Sequence, residues 1–107
     1  MEAMNVGRAA AHTGWSPRML RYIERAGLVV PERTAVGYRR YGLRELNQLR
    51  SFRELLRRFG IGIADVAFAA RLRRDDALRA AVDSWLAGQE LAALEWDQRK
   101  HERLLAA

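Results

Sequence analysis

The stretch Ser16–Leu28 limits the fold of this chain more than any other, because it carries both ends of one short helix. Ser16 suits the N-cap, where its hydroxyl accepts from an otherwise unpaired N–H of the first turn. Pro17 fits the first helical position, where its missing N–H costs nothing. Gly27 suits the left-handed residue just past the end, and Leu28 can then close over that end. Between these marks the faces separate. Arg18, Arg21, Tyr22 and Arg25 share one face at i, i+3, i+4, i+7 spacing, while Leu20 and Ile23 point the other way. A helix this short does not hold itself in water. Neighbours must support it while it presents three guanidiniums and a phenol outward, the make-up of a helix that reads nucleic acid.

The flanking residues predict those neighbours. Asn5 caps a helix running to about His12, with Val6, Ala9 and Ala10 on one side. Thr13-Gly14-Trp15-Ser16 then turns the chain, so the pattern is helix, glycine-containing turn, arginine-bearing helix, which is a helix-turn-helix. Pro31 forbids a continued helix. Leu28–Val30 and Tyr38–Arg40 read as two very short strands of a wing around the tip Thr34–Gly37. In an extended segment Arg39 and Arg40 point to opposite faces, so one can reach a phosphate while the other packs along the wing. Gly42 opens the next helix, to about Phe59, with Leu46, Leu49, Phe52, Leu56 and Phe59 as its apolar stripe and Leu55 adding width. Gly60 ends it. Gly62 opens a shorter helix ending near Leu72, with Ile63, Val66 and Ala70 inward. Gly60-Ile61-Gly62 is no dinucleotide loop, since it lacks a preceding strand and a third glycine.

Charge divides the chain into two parts. Residues 1–74 hold 15 arginines and no lysine against 6 acidic residues, a net of +9. Residues 75–107 hold 4 basic against 7 acidic residues, a net of −3. The first part is expected to be the DNA-binding domain, since arginine suits phosphate and guanine contacts. The second, Asp75–Ala107, reads as one helical tract of up to 33 residues, about 50 Å long if continuous. Asp75 and Asp76 favour its start. Leu78, Val82, Trp85, Ala92 and Trp96 follow the register of a coiled-coil seam, with Leu91, Leu94 and Leu105 as a second stripe. Gly88 interrupts the tract, marking a close approach of another helix or a bend. Two tryptophans on one helix need cover, and its length favours a partner chain.

Other function classes fall away on residue types. Cysteine is absent, which removes disulfides, thiolate metal sites and cysteine nucleophiles. His12 and His101 stand far apart with no carboxylate in a catalytic pattern, so no enzyme, metal or cofactor is expected. No apolar run is long enough to span a bilayer and no signal peptide is evident, so the chain reads as cytoplasmic and nucleoid-associated. Met4 is a second candidate start beside Met1.

With these residues in view, the sequence resembles the MerR family of bacterial transcription regulators, most clearly over Val6–Leu72. The resemblance rests on Leu20-Arg21-Tyr22-Ile23-Glu24-Arg25-Ala26-Gly27-Leu28-Val29-Val30-Pro31 and then Gly37-Tyr38-Arg39-Arg40-Tyr41. Met19 stands where the family often has threonine, Ile23 replaces a second aromatic, and Pro31 follows Val30 directly. The resemblance implies a mostly α fold: a winged helix-turn-helix with a two-stranded wing, a second helical pair, and a C-terminal antiparallel coiled coil joining two subunits. It implies a homodimer that binds a pseudo-palindrome in double-stranded promoter DNA and distorts it. Ser16, Arg18, Arg21, Tyr22 and Arg25 then belong to the DNA-facing helix and Tyr38, Arg39 and Arg40 to the wing, with Arg39 and Tyr38 carrying the wing contact. Metal-sensing relatives place cysteines near the end of the dimer helix and drug-sensing relatives continue into a ligand domain. This sequence shows neither, which points to a minimal regulator or one that answers to a partner protein such as RNA polymerase or another regulator. Two alternatives stay open: an adaptor whose Trp85/Trp96 helix binds a different protein, and a monomer that binds direct repeats.

Overall fold

The computed structural model describes residues 3–88. In chain order the elements are α1 (Val6–Thr13), α2 (Pro17–Arg25), β1 (Glu32–Arg33), β2 (Arg39–Arg40), α3 (Leu43–Phe59), α4 (Ile63–Arg74) and α5 (Asp76–Leu86). They divide into two compact units between Ala70 and Arg71, and α4 runs across that division. None of the helices among the described residues is long and apolar enough to cross a membrane.

In the first unit the helix ends form where the local chemistry places them. The Arg8 N–H donates to Asn5 Oδ1 at 2.9 Å, and Gly14 closes α1 at φ 80°. Ala9 and Ala10 are buried, and their small side chains let α1 lie against both α2 and α3. The connecting turn is pinned from outside. Trp15 Nε1 donates to the Leu49 carbonyl at 2.9 Å, and its ring stacks on Phe52 with centroids 5.8 Å apart. Gly14 is needed because its φ is left-handed; a Cβ there would also lie 2.5 Å from Arg53 Nη1, a contact that the mobile end of that side chain can relieve. At the start of α2 the Met19 N–H donates to Ser16 Oγ at 3.1 Å. At its end Gly27 stands at φ 73°. The Gly27 N–H donates to Glu24 O and the Leu28 N–H to Ile23 O, the paired bonds of a Schellman closure.

The wing differs from the sequence expectation at its first strand. Leu28–Val30 is not a strand; β1 begins only at Glu32, after Pro31. Val29 is 5% exposed and belongs to the core, and Pro31 is buried behind it. Val29, which reads as a strand residue, is therefore a core plug while Val30 stays exposed, and the ladder starts where an N–H is again available. β1 and β2 pair antiparallel, Glu32 with Arg40 and Arg33 with Arg39. Tyr38, expected in the second strand, lies in the tip, where its N–H donates to Thr34 Oγ1 at 3.0 Å. Met4 adds a bridge on the other side of β2, exchanging backbone bonds with Tyr41 at 2.8 and 2.7 Å.

Helix α3 opens at Gly42, whose N–H donates to Glu45 Oε2 at 3.2 Å. Its Leu46, Leu49 and Phe52 join Met4, Leu20, Ile23, Val29, Tyr41 and Ile63 in the core. The stripe does not reach the end of the helix: Phe59 is 62% exposed, with the Arg58 guanidinium over its ring. Helix α4 starts after Gly62, whose N–H donates to Asp65 Oδ2 at 2.8 Å, and continues to Arg74, past Leu72.

In the second unit Asp75 caps α5 by accepting from the Leu78 N–H at 3.0 Å. The helix then stops at Leu86, with Ala87 as its C-cap and Gly88 at φ 86°. A single helix running unbroken through Gly88 is thus excluded, because the glycine takes the left-handed conformation that ends helices. No residue of α5 is buried; Leu78 and Val82 are half-buried, and Trp85 is 60% exposed. Ala92 and Trp96 of the expected seam, with Leu91, Leu94, Leu105 and His101, lie outside the described residues.

Tyr41 carries the one stability prediction of the core. It is 1% exposed, and its hydroxyl has no hydrogen-bond partner among the described residues. Burial, then the negative charge of Glu24, pushes its phenol above the ordinary value, against the guanidiniums of Arg39, Arg33 and Arg21. The fold therefore favours the neutral phenol. Its contribution is complete below about pH 10, where the unfolded chain's tyrosine is still protonated, and is lost as pH rises above that value. Tyr41→Phe is expected to keep or raise the unfolding free energy at neutral pH, by up to about 1 kcal/mol, since it removes a buried hydroxyl without a partner. It should also flatten the alkaline fall expected of the parent chain. Denaturant titrations at neutral pH and above pH 10 check both points, and a clearly destabilised variant at neutral pH would show that the hydroxyl has a partner.

Candidate nucleic-acid interface

Burial sorts the residues of α2 into two faces. Leu20 and Ile23 are 1% and 0% exposed and anchor the helix to the core. Arg18, Arg21, Tyr22 and Arg25 are all exposed, as is Ser16 at the cap. Of the three departures from the family pattern, the two on α2 fall on different faces. Ile23 is a packing residue beneath the helix, whereas Met19 lies on the exposed side at 37%.

The wing is tied to α2 by one carboxylate. Glu24 accepts from Arg39 Nε with both oxygens at 2.9 Å, and from Arg33 Nη2 at 3.1 and 3.2 Å. Glu24 is only 12% exposed and Arg39 28%, while Arg33 is 48% exposed. Charge-assisted bonds in such partial shelter are among the stronger polar contacts a small domain makes. Arg33 Nη1 also donates to the Gly37 carbonyl at 3.0 Å, which braces the tip. The two wing strands thus meet in one ion-paired knot against the last turn of α2.

This knot assigns the two wing arginines that alternation alone leaves open. Arg39 is the partly buried one, committed to Glu24; Arg40 is exposed. Tyr38 is 72% exposed at the tip. Ser16, Arg18, Arg21, Tyr22, Arg25, Tyr38 and Arg40 are therefore exposed on α2, its cap and the wing, and Arg39 sits between the two elements. Sequence reasoning passed over Glu24 and Arg33. Their partners lie 9 and 15 residues from Glu24 in the chain, so no local pattern reveals them. Among the described residues no group of three or more His, Asp or Glu side chains gathers to hold a metal ion.

A capped, arginine-faced second helix, packed across a glycine turn on a first helix and flanked by a β wing, defines a winged helix-turn-helix protein. Residues 4–71 match the MerR HTH family regulatory proteins, and the chain belongs to the MerR family. It is 34% identical over 93 residues to the HTH-type transcriptional regulator HmrR of Sinorhizobium medicae, covering 86% of this chain and 63% of that protein. It is 35% identical over 102 residues to an uncharacterized HTH-type transcriptional regulator of Pseudomonas aeruginosa, covering 94% of this chain and 74% of that one. The chain thus spans somewhat less than two thirds of HmrR. Among solved structures it shares its fold with HiNmlR, a MerR family regulator lacking the sensor domain, bound to promoter DNA. The TM-score is 0.55 at 21% identity, over 97% of this chain and 82% of that one.

The Glu24 knot is open to direct test. Glu24→Gln keeps the shape and removes the charge, so it should cost on the order of 1–2 kcal/mol of unfolding free energy. It should also speed amide hydrogen exchange at Thr34 and Tyr38, whose N–H groups are held within the wing. Unchanged exchange at these two positions would mean that the wing holds its place without Glu24.

Proposed function

We propose that the chain is a transcription regulator that binds double-stranded DNA sequence-specifically, as a homodimer, on a pseudo-palindrome within a promoter that it distorts. The observation that carries the reading is the exposed face of α2, Arg18, Arg21, Tyr22 and Arg25, with a braced wing beside it. A helix of this kind fits the major groove, where arginine can bond guanine O6 and N7 in bidentate fashion. On this reading Ser16 supports the start of the reading helix, Tyr38 and Arg40 approach the sugar–phosphate backbone, and Arg39 holds the wing at the right distance while remaining near that backbone. Family membership and the promoter-bound relative support the same reading.

The dimer rests on α5. An eleven-residue helix that buries none of its residues and leaves Trp85 and Leu86 at 60% and 69% exposure has an apolar face without full cover among the described residues. A second copy supplies that cover symmetrically, which is the commonest closed arrangement of subunits. The same exposure would serve an adaptor binding RNA polymerase or another regulator, and solution mass separates the two.

Arg18→Ala or Arg21→Ala should change base preference in a binding selection, with a cost of roughly 1–3 kcal/mol at the affected base pair. If both variants keep the parent's affinity and preference, the assigned face is wrong. Trp85→Ala should weaken dimerisation by about 2 kcal/mol or more, as the loss of a buried aromatic anchor does. Circular dichroism should show the amino-terminal unit still folded. Sedimentation equilibrium gives the first quantity, and an unchanged dimer constant would count against α5 as the interface.

A further inference from the structure

A recess of about 670 Å³ lies between the start of α1, the side of α2 and the wing. Five guanidiniums line it: Arg8 from α1, Arg21 from α2, and Arg33, Arg39 and Arg40 from the wing, with Tyr38 beside them. Among the described residues the only carboxylate paired with this set is Glu24, and it is spent on Arg33 and Arg39. Arg8, Arg21 and Arg40 have no ion-pair partner among the described residues.

Arg8 is the anomaly. It stands in the first turn of α1, which holds no acidic residue. The positive end of the helix dipole disfavours a cation there and favours an anion. Three unpaired guanidiniums around one recess repel one another unless an anion joins them. In helix-turn-helix binding the first helix crosses the sugar–phosphate backbone while the second enters the groove. We propose that this recess receives a DNA backbone phosphate, and that Arg8 is a phosphate-binding residue acting with Arg40, beside the base-facing Arg21. The inference rests on the DNA-binding reading above and extends it to α1, where sequence reasoning assigned no contact. Arg33 and Arg39, held by Glu24, form the fixed wall of the site.

A phosphate contact adds to affinity without reading bases, and each one steepens the log–log salt dependence by about 0.9. The test is affinity of the full chain for a random-sequence duplex across a salt series, with Arg8→Ala, Arg8→Gln and Arg8→Lys. Both neutral variants should lower the slope by about 0.9, and Arg8→Lys should keep it. Base preference in a binding selection should stay that of the parent. Arg8 is exposed on a helix where alanine is well tolerated, and Arg8→Gln gives a second neutral variant. A parent-like slope in the neutral variants would overturn the inference while leaving DNA binding intact. So would a changed base preference with an unchanged slope. A parent chain that shows no salt-dependent affinity for duplex DNA would instead overturn the DNA-binding reading, and the inference with it.

Discussion

The geometry of the exposed basic surface depends on the bonds Glu24 makes to Arg39 and Arg33. A two-residue strand pair has little stability of its own. Here one carboxylate, 12% exposed, gathers a guanidinium from each strand and draws both against α2. The helix that supplies the outward arginines also supplies the acid that holds the wing. Because both functions lie on successive residues of one helix, the spacing between the α2 face and the wing is set by a contact inside the protein before any ligand arrives.

The rest of the first unit keeps α2 still. Leu20 and Ile23 fix its inner face, Ser16 and the Gly27 closure fix its ends, and Trp15 ties the preceding turn to α3 through the Leu49 carbonyl. Gly14 cannot be replaced cheaply in this arrangement, because its backbone stands at φ 80°, which strains any residue with a side chain. The exposed arginines of α2 thus stand on a helix whose own position is fixed by packing, so less backbone freedom remains to be lost on binding.

The helix ends were legible in the sequence because caps are local. Asn5, Ser16, Gly14, Gly27, Gly42 and Gly60 act within a few residues of themselves, and each stands where its chemistry requires. What was not legible is what distant packing decides. Val29 has the β-branched side chain of a strand residue, yet the core claims it and the strand moves past Pro31. Alternation puts Arg39 and Arg40 on opposite faces but does not say which faces inward; Glu24, 15 residues away from Arg39, decides that. Periodicity ran through Gly88, where the backbone turns left-handed two residues past the end of α5. Arg8 reads as an isolated surface charge until the fold brings the wing beside it.

On the proposed reading, one continuous surface, made of the outer face of α2, the wing and the start of α1, meets double-stranded DNA. Residue-resolved amide shifts during titration of the isotopically labelled chain with a duplex it selects would locate that surface directly. The largest shifts are expected on Ser16–Arg25, on Tyr38–Arg40 and near Arg8. Shifts confined to the apolar end of α3, around Leu55 and Phe59, with α2 and the wing unmoved, would contradict it.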